Sequence, residues 1–216
     1  GSKMEGTDSS DSSNSKQSSG STGDSSTSTE KYQIQNNAVL LRNTSDIDWN
    51  ELQNQAENLY KSWTTITLDL NTMNVTSENI LAYNTNLDNL MVSLKEKNKV
   101  NSAICLANMY SLIPKYTNEI SSDTAKSKLE TVKSNIIFAY SIVETDRWDD
   151  VLKLLGQAET DLTELMTMKE NLSTMRKQKI NKAYVLLKEL IKSSNDKNVD
   201  IFYLKYINLI EELDNL

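Results

Sequence analysis

The sequence predicts an all-α fold, a bundle of about six to seven helices, on three observations. Glycine and proline almost vanish after residue 45, where only Gly156 and Pro114 remain, and the Asn-Gly and Asp-Gly dipeptides that favour hairpins occur nowhere. From Trp49 to Leu213 apolar residues recur at steps of three and four, the period of one helix face. Short polar residues stand ahead of these stretches, where a side-chain oxygen can satisfy the free amides of a helix start. The portion over 46–216 has the length of one domain and can bury a sizeable core.

Residues 1–30, GSKMEGTDSSDSSNSKQSSGSTGDSSTSTE, contain 12 Ser, 4 Thr and 4 Gly but one large apolar residue, Met4. Such a segment cannot bury enough apolar surface to offset the entropy of ordering it, so the expectation is a disordered tether. As a Gly/Ser-type coil it would reach about 30 Å. Residues 31–45 then read as an extended strap. Tyr32 and Ile34 alternate ahead of the patch Ala38-Val39-Leu40-Leu41, which should lie on the bundle surface or meet a partner.

The first helix begins at Asp48. Its side chain can cap the helix while Glu51 returns to it, and Ile47 can staple against Leu52. Trp49, Leu52, Ala56, Leu59, Trp63, Ile66 and Leu70 form its seam. A second helix follows Thr76 on Ile80, Tyr83, Leu87, Leu90 and Leu94, with Val75 and Ile80 as its staple pair. The third runs from about 99 to 120 on Val100, Ala103, Ala107 and Tyr110, with Pro114 bending or dividing it near Ile113.

The fourth helix, the most apolar, starts at Ser121/Ser122 and uses Ala125, Leu129, Val132, Ile136, Ala139 and Val143. The fifth opens around Thr145 or Asp146 and carries Trp148, Val151, Leu155, Ala158, Leu162 and Leu165, ahead of a weaker stretch over 171–174. The sixth, on Ile180, Ala183, Leu187, Leu190 and Ile191, ends in the polar cluster over 193–198. The seventh closes the chain on Ile201, Leu204, Ile207, Leu209 and Leu213.

Laid on itself, the chain suggests a repeat of about 99 residues, a three-helix unit used twice with the fourth helix as connector. Trp49 and Leu52 meet Trp148 and Val151, Trp63 and Ile66 meet Leu162 and Leu165, Ala82-Tyr83 approaches Ala183-Tyr184, and Leu90-Met91 approaches Leu190-Ile191. Any two amphipathic helices can be slid until their leucines coincide. Only the tryptophan starts and the Ala-Tyr pair therefore distinguish a repeat from chance.

Composition excludes several chemistries. With no histidine there is no Ser-His-Asp or Cys-His relay and no HExxH zinc helix. One cysteine, Cys105, excludes an internal disulfide and a multi-thiolate cluster, and its place between Ile104 and Leu106 reads as a buried inert thiol. Net charge −7 and pI 4.8 disfavour nucleic acid; the basic stretch over 176–182 spreads around a helix and reads as solvated. Asp146, Asp149 and Asp150, and Glu211, Glu212 and Asp214, read as solvated helix ends. The tryptophans and most tyrosines fall on or beside apolar stripes and read as core, the alternative being a groove whose rings stack on a sugar or another planar ligand. Met166, Met168 and Met175 read as gap fillers rather than a soft-metal site.

No stretch of 18 apolar residues is present, and no charged, apolar leader with a small-residue cleavage site opens the sequence. The expectation is a cytoplasmic chain or a mature, truncated one, with Gly1-Ser2 as a cloning remnant. The polar Ser/Thr/Gly/Asp leader before an Asn-, Lys- and Ile-rich helical body resembles cell-surface lipoproteins of low-G+C Gram-positive bacteria, the clostridia among them. That resemblance implies a lipidated cysteine upstream of Gly1 and a body held at the outer face of the cell membrane. The expected function is non-catalytic: binding a protein or small-molecule partner at the cell envelope, without cofactor, metal or nucleic acid. The alternative is an intracellular helical scaffold that pairs with coiled coils. An upstream lipobox would favour the first and a nearby initiator methionine the second.

Overall fold

The structure, a computed structural model, describes residues 46–168 and 173–216. The tether expected over 1–30, the strap over 31–45 and residues 171 and 172 of the weak stretch over 171–174 lie outside these residues. The helices are α1 (Trp49–Thr72), α2 (Ser77–Lys95), α3 (Lys99–Ser111), α4 (Ile113–Ile120), α5 (Thr124–Ile142), α6 (Trp148–Thr167), α7 (Thr174–Asn195) and α8 (Val199–Asp214). A 3₁₀ turn, Val143–Thr145, precedes α6, and no strand occurs among the described residues. The expected third helix is divided at Leu112 into α3 and α4. Pro114 stands in the first turn of α4, where its missing amide costs no hydrogen bond. Seven rods result, an all-α bundle of the predicted size.

Local chemistry sets the helix starts. Asp48 accepts the Glu51 amide at 3.1 Å, and Ile47 and Leu52 pack on the same cluster, as the staple requires. The Glu51 carboxylate, however, takes Gln55 Nε2 at 3.4 Å, so the capping box is half made. Asp123, not Ser121 or Ser122, caps α5 by accepting the Lys126 amide at 3.0 Å. A carboxylate one residue farther on wins because it accepts more strongly than a hydroxyl. For α2 the Thr76 side chain makes no cap of its own. Glu119 of α4 does that work from across the bundle, accepting from the Thr76 amide (3.2 Å), Thr76 Oγ1 (3.0 Å) and Asn79 Nδ2 (3.3 Å).

The rods alternate in direction. α5, α6, α7 and α8 close into a ring in which each packs on the next and α8 returns to α5. Val132, Ile136, Leu155, Leu162, Leu187 and Leu209 fill its centre, each with no exposed surface. The first half is smaller. α1, α2 and α3/α4 enclose one cluster around Trp49, Ala56, Leu87, Leu90, Cys105 and Met109, and a second around Trp63, Leu70, Val75, Ile80, Leu112 and Tyr116. The halves join where α3 packs on α5, with Ile104 against the large core and Ala107 fully buried.

Three seam assignments are corrected. Ile66, Ile201 and Leu204 are 42%, 41% and 55% exposed. On α8 the inner face belongs to Phe202, Tyr203, Tyr206, Leu209, Ile210 and Leu213. The bulkier aromatics remove more apolar area from water, and the Ile201–Leu204 stripe is left outside. Ser193 and Ser194, read as part of a polar helix end, are buried inside α7, where both hydroxyls donate to the Leu190 carbonyl.

The turn that ends α2 recurs at the end of α7. The pattern L-x-x-L-x-x-S-x-x-x-K-N occupies 87–98 and again 187–198, an offset of 100. In both, the lysine takes a left-handed backbone (Lys97 φ 57°, Lys197 φ 53°). The asparagine amide then donates to the serine carbonyl at 2.9 and 3.0 Å. Asn98 and Asn198 next cap α3 and α8, accepting the amides of Asn101 and Ile201. Inter-rod contacts correspond as well: Tyr60 donates to Asp88 at 2.7 Å, and Lys188 donates to Glu159 at 2.9 Å. The first of these pairs lies between α1 and α2 and the second between α6 and α7.

Candidate functional site

The densest group of titratable and aromatic side chains lies on the seam between α3, α5 and α8. Tyr140 of α5 stacks on Tyr206 of α8 (centroids 4.5 Å apart, planes 14°) and leans on Tyr203 at 5.7 Å. Phe202 lies parallel to Tyr206 at 6.3 Å. Lys99, at the start of α3, pairs with Glu144 at 3.1 Å and places its ammonium 5.3 Å from the Tyr203 ring. Lys133 of α5 pairs with Asp214 of α8 at 3.3 Å. Burial pushes the Tyr206 hydroxyl well above its ordinary value, and the neighbouring Tyr140, Asp214 and Tyr110 reinforce the shift. Tyr140 and Tyr110 are raised too, first by burial and then by carboxylates nearby. These phenols stay protonated at neutral pH and are poor bases. Tyr140, Phe202, Tyr203 and Tyr206 each pack on another ring, and Tyr203 also faces the Lys99 ammonium, so the group fastens α8 and α3 to α5.

A more open feature is a shallow cleft of about 230 Å³ lined by Asn118, Thr124, Ser127, Lys128, Thr131 and Asp161. Ligand pockets usually run from about 300 Å³ upward. Its charges are already answered. Lys128 lies 2.6 Å from Glu164 and 3.9 Å from Asp161, which also accepts from Gln157. The cleft can hold water or one small polar group.

Sequence-singled residues are dispersed. Trp63 stacks on Tyr83 at 3.9 Å and lies 6.4 Å from Tyr116; Trp49 and Trp148 are buried in separate clusters. The Trp63 face is thus turned to Tyr83, and Trp49 and Trp148 are packed among apolar side chains. Cys105 is buried, and loss of solvent pushes its thiol up despite a hydrogen bond with Ser93. Met166 and Met168 pack on the large core, whereas Met175 is exposed, so the three do not converge. Among the described residues no three of Cys, Asp and Glu gather at metal-binding distance. Glu212 and Asp214, expected as solvated ends, instead tie α8 to α7 through Lys182 and to α5 through Lys133. No helix among the described residues is long and apolar enough to cross a membrane.

One end of the bundle carries a concentration of exposed apolar side chains that the periodicity did not single out. Leu68 and Met73 close α1, Leu81 opens α2 and Ile120 ends α4. These elements meet there, since Glu119 binds Thr76 and Asn79. Leu68 and Leu81 were legible as apolar residues standing off their seams. Comparisons with protein-family models, curated proteins and solved structures find no match for this chain.

Proposed function

We propose that this chain is a non-catalytic module of the cell envelope, tethered by an upstream lipid anchor, whose helical body binds a protein partner through its apolar end. The observation that carries the binding part is the concentration of Leu68, Met73, Leu81 and Ile120 at the end where α1, α2 and α4 meet. Exposed apolar side chains at one end of a bundle are surface of the kind that protein contacts bury. The Ser/Thr/Gly-rich leader supports the tether, because it supplies reach without a core of its own. The tyrosine seam supports a structural rather than catalytic role for the chain's most perturbed hydroxyls.

The test uses the complete gene in its native host, grown with an alkyne fatty acid. The proposal expects the label on the chain, and loss of the body when protease is added to intact cells. An unlabelled chain protected inside the cell would refute the envelope assignment and favour the intracellular scaffold. A photo-crosslinker at position 68 or 81 should trap one discrete partner. Equal trapping from exposed position 185 on α7 would refute the apolar end as the binding surface.

A further inference from the structure

The outer face of α2 repeats the rhythm of its inner one. Glu78, Leu81, Thr85, Asp88, Val92 and Lys95 follow one another at steps of 3, 4, 3, 4 and 3, so they share one helix face. The inner seam of the same helix, Ile80, Leu87, Leu90 and Leu94, is buried. All six residues of the outer stripe are exposed, Leu81 at 63% and Val92 at 55%. Glu78 and Lys95 take part in no ion pair among the described residues. Asp88 accepts Tyr60 of α1 on one oxygen, and its other oxygen can still accept a bond from outside.

This stripe is complementary to its own reverse. Laid antiparallel on a copy of itself, about a two-fold axis between Thr85 and Asp88, it sets Glu78 against Lys95, Leu81 against Val92 and Thr85 against Asp88. Each pairing then occurs twice. Opposite charges meet, apolar side chains meet, and a hydroxyl donor meets a carboxylate. A parallel copy would instead set Glu78 on Glu78 and Asp88 on Asp88. The match is not general to outer helix faces. At an offset of 100, α7 carries Gln178, Asn181, Val185, Lys188, Lys192 and Asn195, whose reverse sets Val185 against Lys188. Both of those lysines are engaged within the chain, Lys188 by Glu159 and Lys192 by Asp196.

We infer that this chain pairs with a second copy of itself through the outer face of α2, antiparallel, with Leu81 of each copy against Val92 of the other. The inference rests on the reading of the α1, α2 and α4 end as a surface that binds protein, and it gives Leu81 its occupant.

Sedimentation equilibrium of the full chain, over an about 100-fold range of concentration, should show monomer passing into dimer. Leu81→Ser should raise the dissociation constant at least about 10-fold, and Val185→Ser on α7 by less than about 2-fold. Glu78→Lys and Lys95→Glu should each raise it at least about 5-fold, whereas the chain carrying both, in which opposite charges meet again across the axis, should return to within about 2-fold of the original. Positions 78 and 95 stand at opposite ends of one helix, so a local effect of either substitution is not rescued by the other. Under oxidation, a mixture of Leu81→Cys and Val92→Cys chains should join faster than either alone. A monomer at every concentration, or a double variant no tighter than the single ones, would overturn the pairing. Leu81→Cys joining to itself as fast as to Val92→Cys would overturn the antiparallel register. A different protein crosslinked from position 68 or 81, with the chain itself monomeric, would overturn the second copy as partner and leave the binding end standing.

Discussion

Leu162→Ala probes the packing most sharply, because Leu162 has no exposed surface and stands on α6, facing the centre of the four-rod ring. Removing a buried leucine side chain loses its transfer energy and leaves a void, together about 3 to 5 kcal/mol. In urea, with a slope of about 2 kcal/mol/M, the midpoint should fall by about 1.5 to 2.5 M. At about 2 to 4 °C per kcal/mol for a body of this size, the melting temperature should fall by about 6 to 20 °C. Leu68→Ala is the control: the same chemistry at a side chain 65% exposed, expected to shift stability by less than about 0.5 kcal/mol. Circular dichroism at about 222 nm and tryptophan fluorescence should report the same midpoint if unfolding is two-state. Leu162→Asp should leave no folded body, since it buries an unpaired charge. A loss below about 1 kcal/mol for Leu162→Ala, or equal losses at 162 and 68, would refute the assignment of the α6 face.

Three further perturbations follow from the geometry. Glu119→Ala removes the acceptor that caps α2 from α4 and should cost about 1 kcal/mol, whereas Glu78→Ala, in the first turn of the same helix, should cost less; urea midpoints decide. Lys97→Gly and Lys197→Gly relieve a left-handed backbone and should each stabilise by about 0.5 to 1 kcal/mol; a loss at either would contradict the turn assignment. Tyr60 is pushed up to about 12, by burial and then by its bond to Asp88, and Tyr110, Tyr116, Tyr140 and Tyr206 are raised further. A phenol that titrates near 10 when unfolded and higher when folded binds more protons in the native state between the two values. Stability should therefore hold below pH about 10 and fall as pH rises beyond it. Tyrosinate absorbance rising fully by pH about 10.5 with the fold intact would refute the seam.

Most helices were legible because their burial follows a period local to the chain. Val132, Ile136, Leu155, Leu162, Leu187 and Leu190 needed only the three-four rhythm, and Pro114 marked the break. The rhythm failed on α8, where two apolar stripes compete and only the packing against α5 decides that Tyr203 and Tyr206 turn inward while Ile201 and Leu204 do not. Glu119 could not be found as a cap, because it lies 43 residues from Thr76 in sequence. The tyrosine seam joins residues from three helices that no local pattern relates. The shared turn was different in kind. Leu90-Met91 approaches Leu190-Ile191 at an offset of 100 in plain view, but the Ser, Lys and Asn that follow carry no apolar rhythm, so a repeat sought on apolar and aromatic positions does not gather them into a turn.

Native-state hydrogen exchange, read peptide by peptide, tests most directly the claim that one large core in α5–α8 carries the fold and a smaller assembly in α1–α4 leans on it. The account predicts that amides of α5, α6 and α7 around Ile136, Leu162 and Leu187 exchange last and together, by global unfolding, while α1 and α2 open earlier as a second unit. Amides around Ala56 and Leu87 outlasting those around Leu162 would contradict it.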